Sequence, residues 1–85
     1  MSEEEGELQD KAYRVLLAAI VEAEGFSLQS VERERVMRRA NISDAEEFRA
    51  VAEHLGTRGL LAKEDEEWYS FFITSAGIDE AARRS

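Results

Sequence analysis

The chain has 85 residues, 44% apolar and 35% charged, with a formal net charge of −8. That is one small domain with enough apolar side chains for a core, above the size at which a metal or disulfide becomes necessary. There is no cysteine, which excludes disulfides, thiolate metal sites and cysteine nucleophiles. The longest apolar run, Val15 to Val21, is far too short to cross a bilayer, and no basic segment precedes an apolar stretch as in a secretory signal. A cytoplasmic protein is expected.

Residues 1–10 carry five acids (Glu3, Glu4, Glu5, Glu7, Asp10) and no base. With Gly6 among them, residues 1–7 read as an acidic, flexible tail ahead of a domain over 8–85. Residues 8–24 read as a helix rich in Ala, Leu and Glu. Leu8, Ala12, Val15, Leu16, Ala19 and Ala23 share one face, and Gly25 is a natural stop. Tyr13, Leu17 and Val21 widen the apolar arc beyond the stripe a small domain buries. Either flanking helices cover that surplus or it is the interface of a homodimer.

Residues 27–40 read as a second helix, capped by Ser27 or Ser30, with Leu28 at its entry and Val31, Val36, Met37 and Ala40 apolar. Its outer face holds Arg33, Arg35, Arg38 and Arg39, partly balanced by Glu32 and Glu34. It is the only basic surface the chain has. Following a short turn over 41–43, Ser43 and Glu46 have capping-box spacing, and Asp44, Glu46 and Glu47 suit the positive end of a helix dipole. Ala45, Phe48, Val51, Ala52 and Leu55 recur at helical spacing, so a third amphipathic helix runs to about Arg58, stopped by Gly59. Gly56 inside it implies an earlier end or a closely approaching backbone.

Leu60 to Ala62 begin an extended segment, "KEDEE" makes a polar turn, and "WYSFFIT" has the aromatic and β-branched content of a strand. Alternation puts Tyr69, Phe71 and Ile73 on one face and Trp68, Ser70 and Phe72 on the other. Thr74 leaves the strand and caps a last helix, with Ile78 and Ala81 or Ala82 inward and Arg83 and Arg84 at its negative end.

Three helices, a hairpin and a terminal helix give an α+β class. "LGTRGLLAKED" and "FFITSAGIDEA" resemble the third-helix exit and the strand–Thr–x–x–Gly–x–x–x–Ala exit of the winged helix-turn-helix family, and the resemblance covers the chain from Leu8 to Arg84. It implies a three-helix core, a two-stranded wing and a C-terminal helix packed on the first. A looser similarity of "AAIVEAEGFSLQSVERERV" to all-helical tellurite-resistance domains is opposed by the "WYSFFITSAG" strand.

The resemblance would place the third helix in a DNA groove and the wing beside it. Here residues 41–58 hold four acids against two bases, and residues 59–70 four acids against one. Affinity for DNA rests on cations meeting phosphates, so both elements are expected to be repelled. The expected function is therefore a non-enzymatic interaction or assembly module, binding a second copy or another protein. Trp68, Phe72, Tyr13, Leu17 and Val21 would supply its apolar anchors, unless the sheet wraps enough for Trp68 or Phe72 to pack on the first or last helix. The alternative is a small DNA-binding regulator using Arg33, Arg35, Arg38, Arg39, Arg49, His54 and Lys63, and a third reading is an acidic decoy for a nucleic-acid-binding protein.

Enzyme chemistry has little to stand on: His54 is the single histidine, and no serine sits in a nucleophile-elbow context. Glu64 to Glu67 lack the alternating spacing of a calcium loop, and no glycine-rich loop could cradle phosphate. No cofactor, metal, membrane or small-molecule substrate is expected.

Overall fold

A computed structural model describes residues 3–84. In chain order the elements are α1 (Glu3–Glu22), β1 (Ser30–Glu32), α2 (Arg33–Ala40), α3 (Ala45–Thr57), β2 (Leu61–Lys63), β3 (Ser70–Ile73) and α4 (Ser75–Arg84). Among the described residues four helices and a three-stranded antiparallel sheet make an α+β fold, with strand order β1-β3-β2. Among the described residues no helix is long and apolar enough to cross a membrane.

Helix α1 begins at Glu3, so the acidic stretch expected as a tail is helical from there on, while residues 1–2 lie outside the described residues. The helix closes with Gly25 in the left-handed region (φ 81°), its N–H donating to the Ile20 carbonyl at 2.9 Å.

The expected helix over 27–40 is corrected. Its first half is a strand, and α2 starts only at Arg33. Leu28 sits at φ 66°, which no helix tolerates, and its N–H donates to the Ile73 carbonyl at 2.8 Å. From there Ser30, Val31 and Glu32 pair with Phe72, Phe71 and Ser70. Neither Ser27 nor Ser30 caps α2. Glu32 occupies the N-cap position without a side-chain bond, and the Ser30 hydroxyl donates to Glu64 instead. Helix α2 ends where Asn41 turns left-handed at φ 60°.

Asp44, not Ser43, caps α3, its carboxylate accepting the Glu46 N–H at 3.0 Å. Helix α3 stops as anticipated, with Gly59 at φ 76° and the Leu60 N–H on the Leu55 carbonyl. The hairpin then pairs Leu61, Ala62 and Lys63 with Ile73, Phe72 and Phe71. At the far end of β3 the Thr74 hydroxyl accepts the Gly77 N–H at 3.0 Å. It also lies 2.7 Å and 3.0 Å from the Gly59 and Leu60 carbonyls, to which it donates. One side chain thus starts α4 and ties it to the strand entry. A Cβ on Gly77 would stand 2.3 Å from the Leu60 carbonyl oxygen, so α4 approaches the chain as closely as only glycine permits.

The core is one cluster in which Trp68, Phe48, Phe71, Leu16, Leu55 and Ile73 are the largest fully buried side chains. Phe71 is its hub, with ring centroids 5.8 Å from Phe48 and 5.5 Å from Trp68. The expectation that Trp68 faces a partner is corrected, because it is 1% exposed. Strand alternation starts only at Ser70. Trp68 lies before it at φ 62°, a left-handed step that breaks the parity and turns the indole inward. Gly56 faces the same ring: a Cβ there would meet Trp68 at 3.2 Å, with the Leu61 backbone oxygen in ordinary contact at 3.8 Å.

Candidate interaction surfaces

Three surfaces carry residues singled out in the sequence, and a fourth carries exposed apolar residues the sequence did not single out. The first is the outer side of α3 with the β2–β3 turn. The turn is organised by Asp65, whose carboxylate accepts the N–H groups of Glu67, Tyr69 and Ser70 at 3.0–3.1 Å. These bonds, the one from Tyr69 first, hold the Asp65 carboxyl below its ordinary value. Glu53 on α3 accepts the Trp68 indole N–H at 2.9 Å and the Lys63 ammonium at 3.2 Å, and both lower its pKa. Lys63 also reaches Glu66 at 3.1 Å, and the two carboxylates, Glu66 first, raise the ammonium pKa.

Arg49 of α3 is bonded to Glu67, and Lys11 reaches across from α1 to Glu47 at 3.1 Å. So the structure gathers Arg49 and Lys63, as the sequence suggested, but each is already held by acids. His54 is half-buried and turned from this face. It lines a small cavity of about 10 Å3 with Tyr13, Leu16 and Arg84, room for one water at most.

The second surface is α2, where the four arginines do not act as a set. Arg33 lies over the Tyr69 ring, 4.3 Å from its centroid, and donates to the Glu67 carbonyl at 3.1 Å. It belongs to the hairpin, since α2 begins with it and not six residues earlier. Arg39 and Arg35 both reach Glu22, at 2.9 Å and 3.8 Å, and Arg35 also lies 3.7 Å from Glu32. Arg38 makes no ion pair among the described residues.

The third surface is the groove between α1 and α2, lined by Arg14, Leu17, Ala18, Val21, Arg39 and Ala40. Leu17 and Val21 are 37% and 52% exposed, so neither flanking helix covers them. Tyr13 is apart from them, half-buried with Arg84 5.8 Å from its ring centroid. Phe72 is half-buried in the middle strand of the sheet. Of the five apolar anchors expected, only Leu17 and Val21 form an exposed apolar pair.

The fourth surface was not legible. Phe26 and Leu28, in the link from α1 to β1, are 67% and 69% exposed. Read as a helix start, this stretch gave no reason for Leu28 to face water. Gly25, which with Glu24 makes the left-handed turn that sets the link, is the sequence signal for it.

The two net-negative elements thus carry cations that are neutralised within the chain, while the exposed apolar pair lies on the opposite helix, α1, beside arginine. Compared with known proteins, the chain matches no protein-family model, no curated protein and no solved structure.

Proposed function

We propose that this chain is a winged helix-turn-helix domain acting as a non-enzymatic protein-interaction module, and not as a reader of duplex DNA. The order helix, strand, helix, helix, hairpin, helix, with β1 beside β3, supports the winged-helix reading. The β2–β3 turn is then the wing and α3 the helix that a DNA reader would insert in the major groove.

One observation carries the functional half. On α3 and the wing, Lys63 and Arg49 are bonded to Glu53, Glu66 and Glu67. A DNA-binding surface neutralises about 6–10 phosphates and releases their counterions. Here the phosphates would have to displace carboxylates already paired with the few cations present, and the displaced carboxylates would then repel them. The α1–α2 groove is the surface better suited to a partner, with an uncovered apolar centre and a polar rim of arginine.

The test is a titration of labelled duplex DNA, first at low salt and then at moderate salt. No binding at about 10 μM protein in low salt is expected. Submicromolar binding that weakens steeply with salt would overturn the reading in favour of a DNA-binding regulator.

A further inference from the structure

We propose that the occupant of the α1–α2 groove is a second copy of this chain, docked with its α1 antiparallel to the first. This rests on the interaction-module reading above and names its partner.

The argument begins with one stripe of α1. Glu7, Asp10, Arg14, Leu17 and Val21 follow one another at spacings of three and four, so they share a face, and all five are exposed. The stripe is polar in the electrical sense. Its N-terminal half is acidic, Asp10 being answered only by Arg14 at 3.5 Å. Its C-terminal half is apolar and lies beside the arginines of α2, for Arg35 and Arg39 both reach Glu22 in the last turn of α1. Arg38, which makes no ion pair among the described residues, is on the same helix as Arg35 and Arg39.

Two copies can lay this stripe together in two directions. Side by side and parallel, each acidic half meets the other acidic half and Arg14 meets Arg14. Antiparallel, with the two-fold axis between Leu17 and Val21, Leu17 of each copy meets Val21 of the other. Glu7 and Asp10 of each copy then run past the end of α1 beside which Arg35, Arg38 and Arg39 of the other's α2 lie, three cations of which Arg35 and Arg39 share the single Glu22. The interface is isologous, so one complementary pairing is made twice. Both chains are net negative, which opposes approach at long range. At about 150 mM salt that repulsion is screened beyond roughly 8 Å, while contacts inside the interface are not.

The experiment combines mass with orientation. Light scattering coupled to size exclusion at about 150 mM salt should give twice the chain mass at high protein concentration. Leu17→Glu with Val21→Glu should raise the dissociation constant at least tenfold, with a circular dichroism spectrum and cooperative melt like those of the parent. Orientation is read on the otherwise unmodified chain, which has no native cysteine to interfere. A spin label on Asp10→Cys should report a separation of roughly 25–30 Å between copies, from about 18 residues of helical rise. A parallel pair would place the labels within about 15 Å. A single-chain mass at millimolar concentration, a dimer indifferent to the double substitution, or the short label distance each overturns the proposal. None of these outcomes bears on the DNA titration, so the two readings fail separately.

Discussion

The Trp68 indole N–H meets a Glu53 carboxylate oxygen at 2.9 Å, and this one bond joins the buried core to the charged outer face of α3. The ring is 1% exposed and packs edge-on to Phe71. Trp68 therefore holds the hairpin turn against α3 and is not spare surface. Trp68→Ala should cost about 3–5 kcal/mol, the range for truncating a buried aromatic. That is a large share of the stability of a domain this size. Urea unfolding followed by circular dichroism checks it; a loss under about 1 kcal/mol would mean the ring is not packed as described.

Glycine substitutions at two positions should move stability in opposite directions. Gly77→Ala forces a methyl to within 2.3 Å of the Leu60 carbonyl oxygen and 2.9 Å of the Ile73 side chain. Backbone has to shift, and a loss of about 1–3 kcal/mol or more is expected. Gly6 has nothing within 4 Å of the corresponding position and lies inside α1, so Gly6→Ala should gain up to about 1 kcal/mol. Paired thermal melts decide both.

The helices α1, α3 and α4 were legible because their apolar spacing and stop signals are local: Gly25, Gly59 and the cap at Thr74 need nothing beyond their neighbours. Strand β1 was not. Its helix-favouring letters are overruled by hydrogen bonds to β3, in which Ser30 pairs with Phe72. No window of sequence contains both. Trp68 was misplaced for a related reason. Alternation assumes a strand, whereas the Asp65 carboxylate draws the surrounding N–H groups into a turn and leaves Trp68 left-handed. For the surfaces, the sign of the charge on α3 and the hairpin could be counted. That Arg33 leaves the arginine face to stack on Tyr69 could not, because it follows from where α2 begins.

Thr74 should act through its hydroxyl and not through its bulk. That oxygen accepts from Gly77 and donates toward the Gly59 and Leu60 carbonyls, so it serves as cap and as clamp. Thr74→Val keeps the β-branched shape and should cost about 1–2 kcal/mol. Thr74→Ser, which keeps the hydroxyl, should cost less than half as much. Equal losses in the two variants would assign the effect to packing.

Acid sensitivity should trace to Asp65. Its carboxyl, like those of Glu53 and Glu80, is held below its ordinary value: Asp65 by backbone N–H groups, Glu53 by Trp68 and then Lys63, Glu80 by Arg84 and then Arg58. A carboxylate with a lowered folded pKa stabilises the fold above its unfolded value and loses that contribution as pH falls through the folded one. For Asp65 the loss begins near its ordinary 3.8 and continues below it. Protonating the many other exposed acids meanwhile relieves the repulsion of a chain at −8, so the total curve mixes two opposing effects. The comparison with Asp65→Asn separates them. At neutral pH the variant should melt at a lower temperature, since the amide offers one acceptor oxygen where the turn uses two. As the pH falls from 5 toward 2.5 the two melting curves should converge, because the parent carboxyl is being neutralised as well. A difference that stays constant across that range would show that the ionised form of Asp65 does not hold the turn.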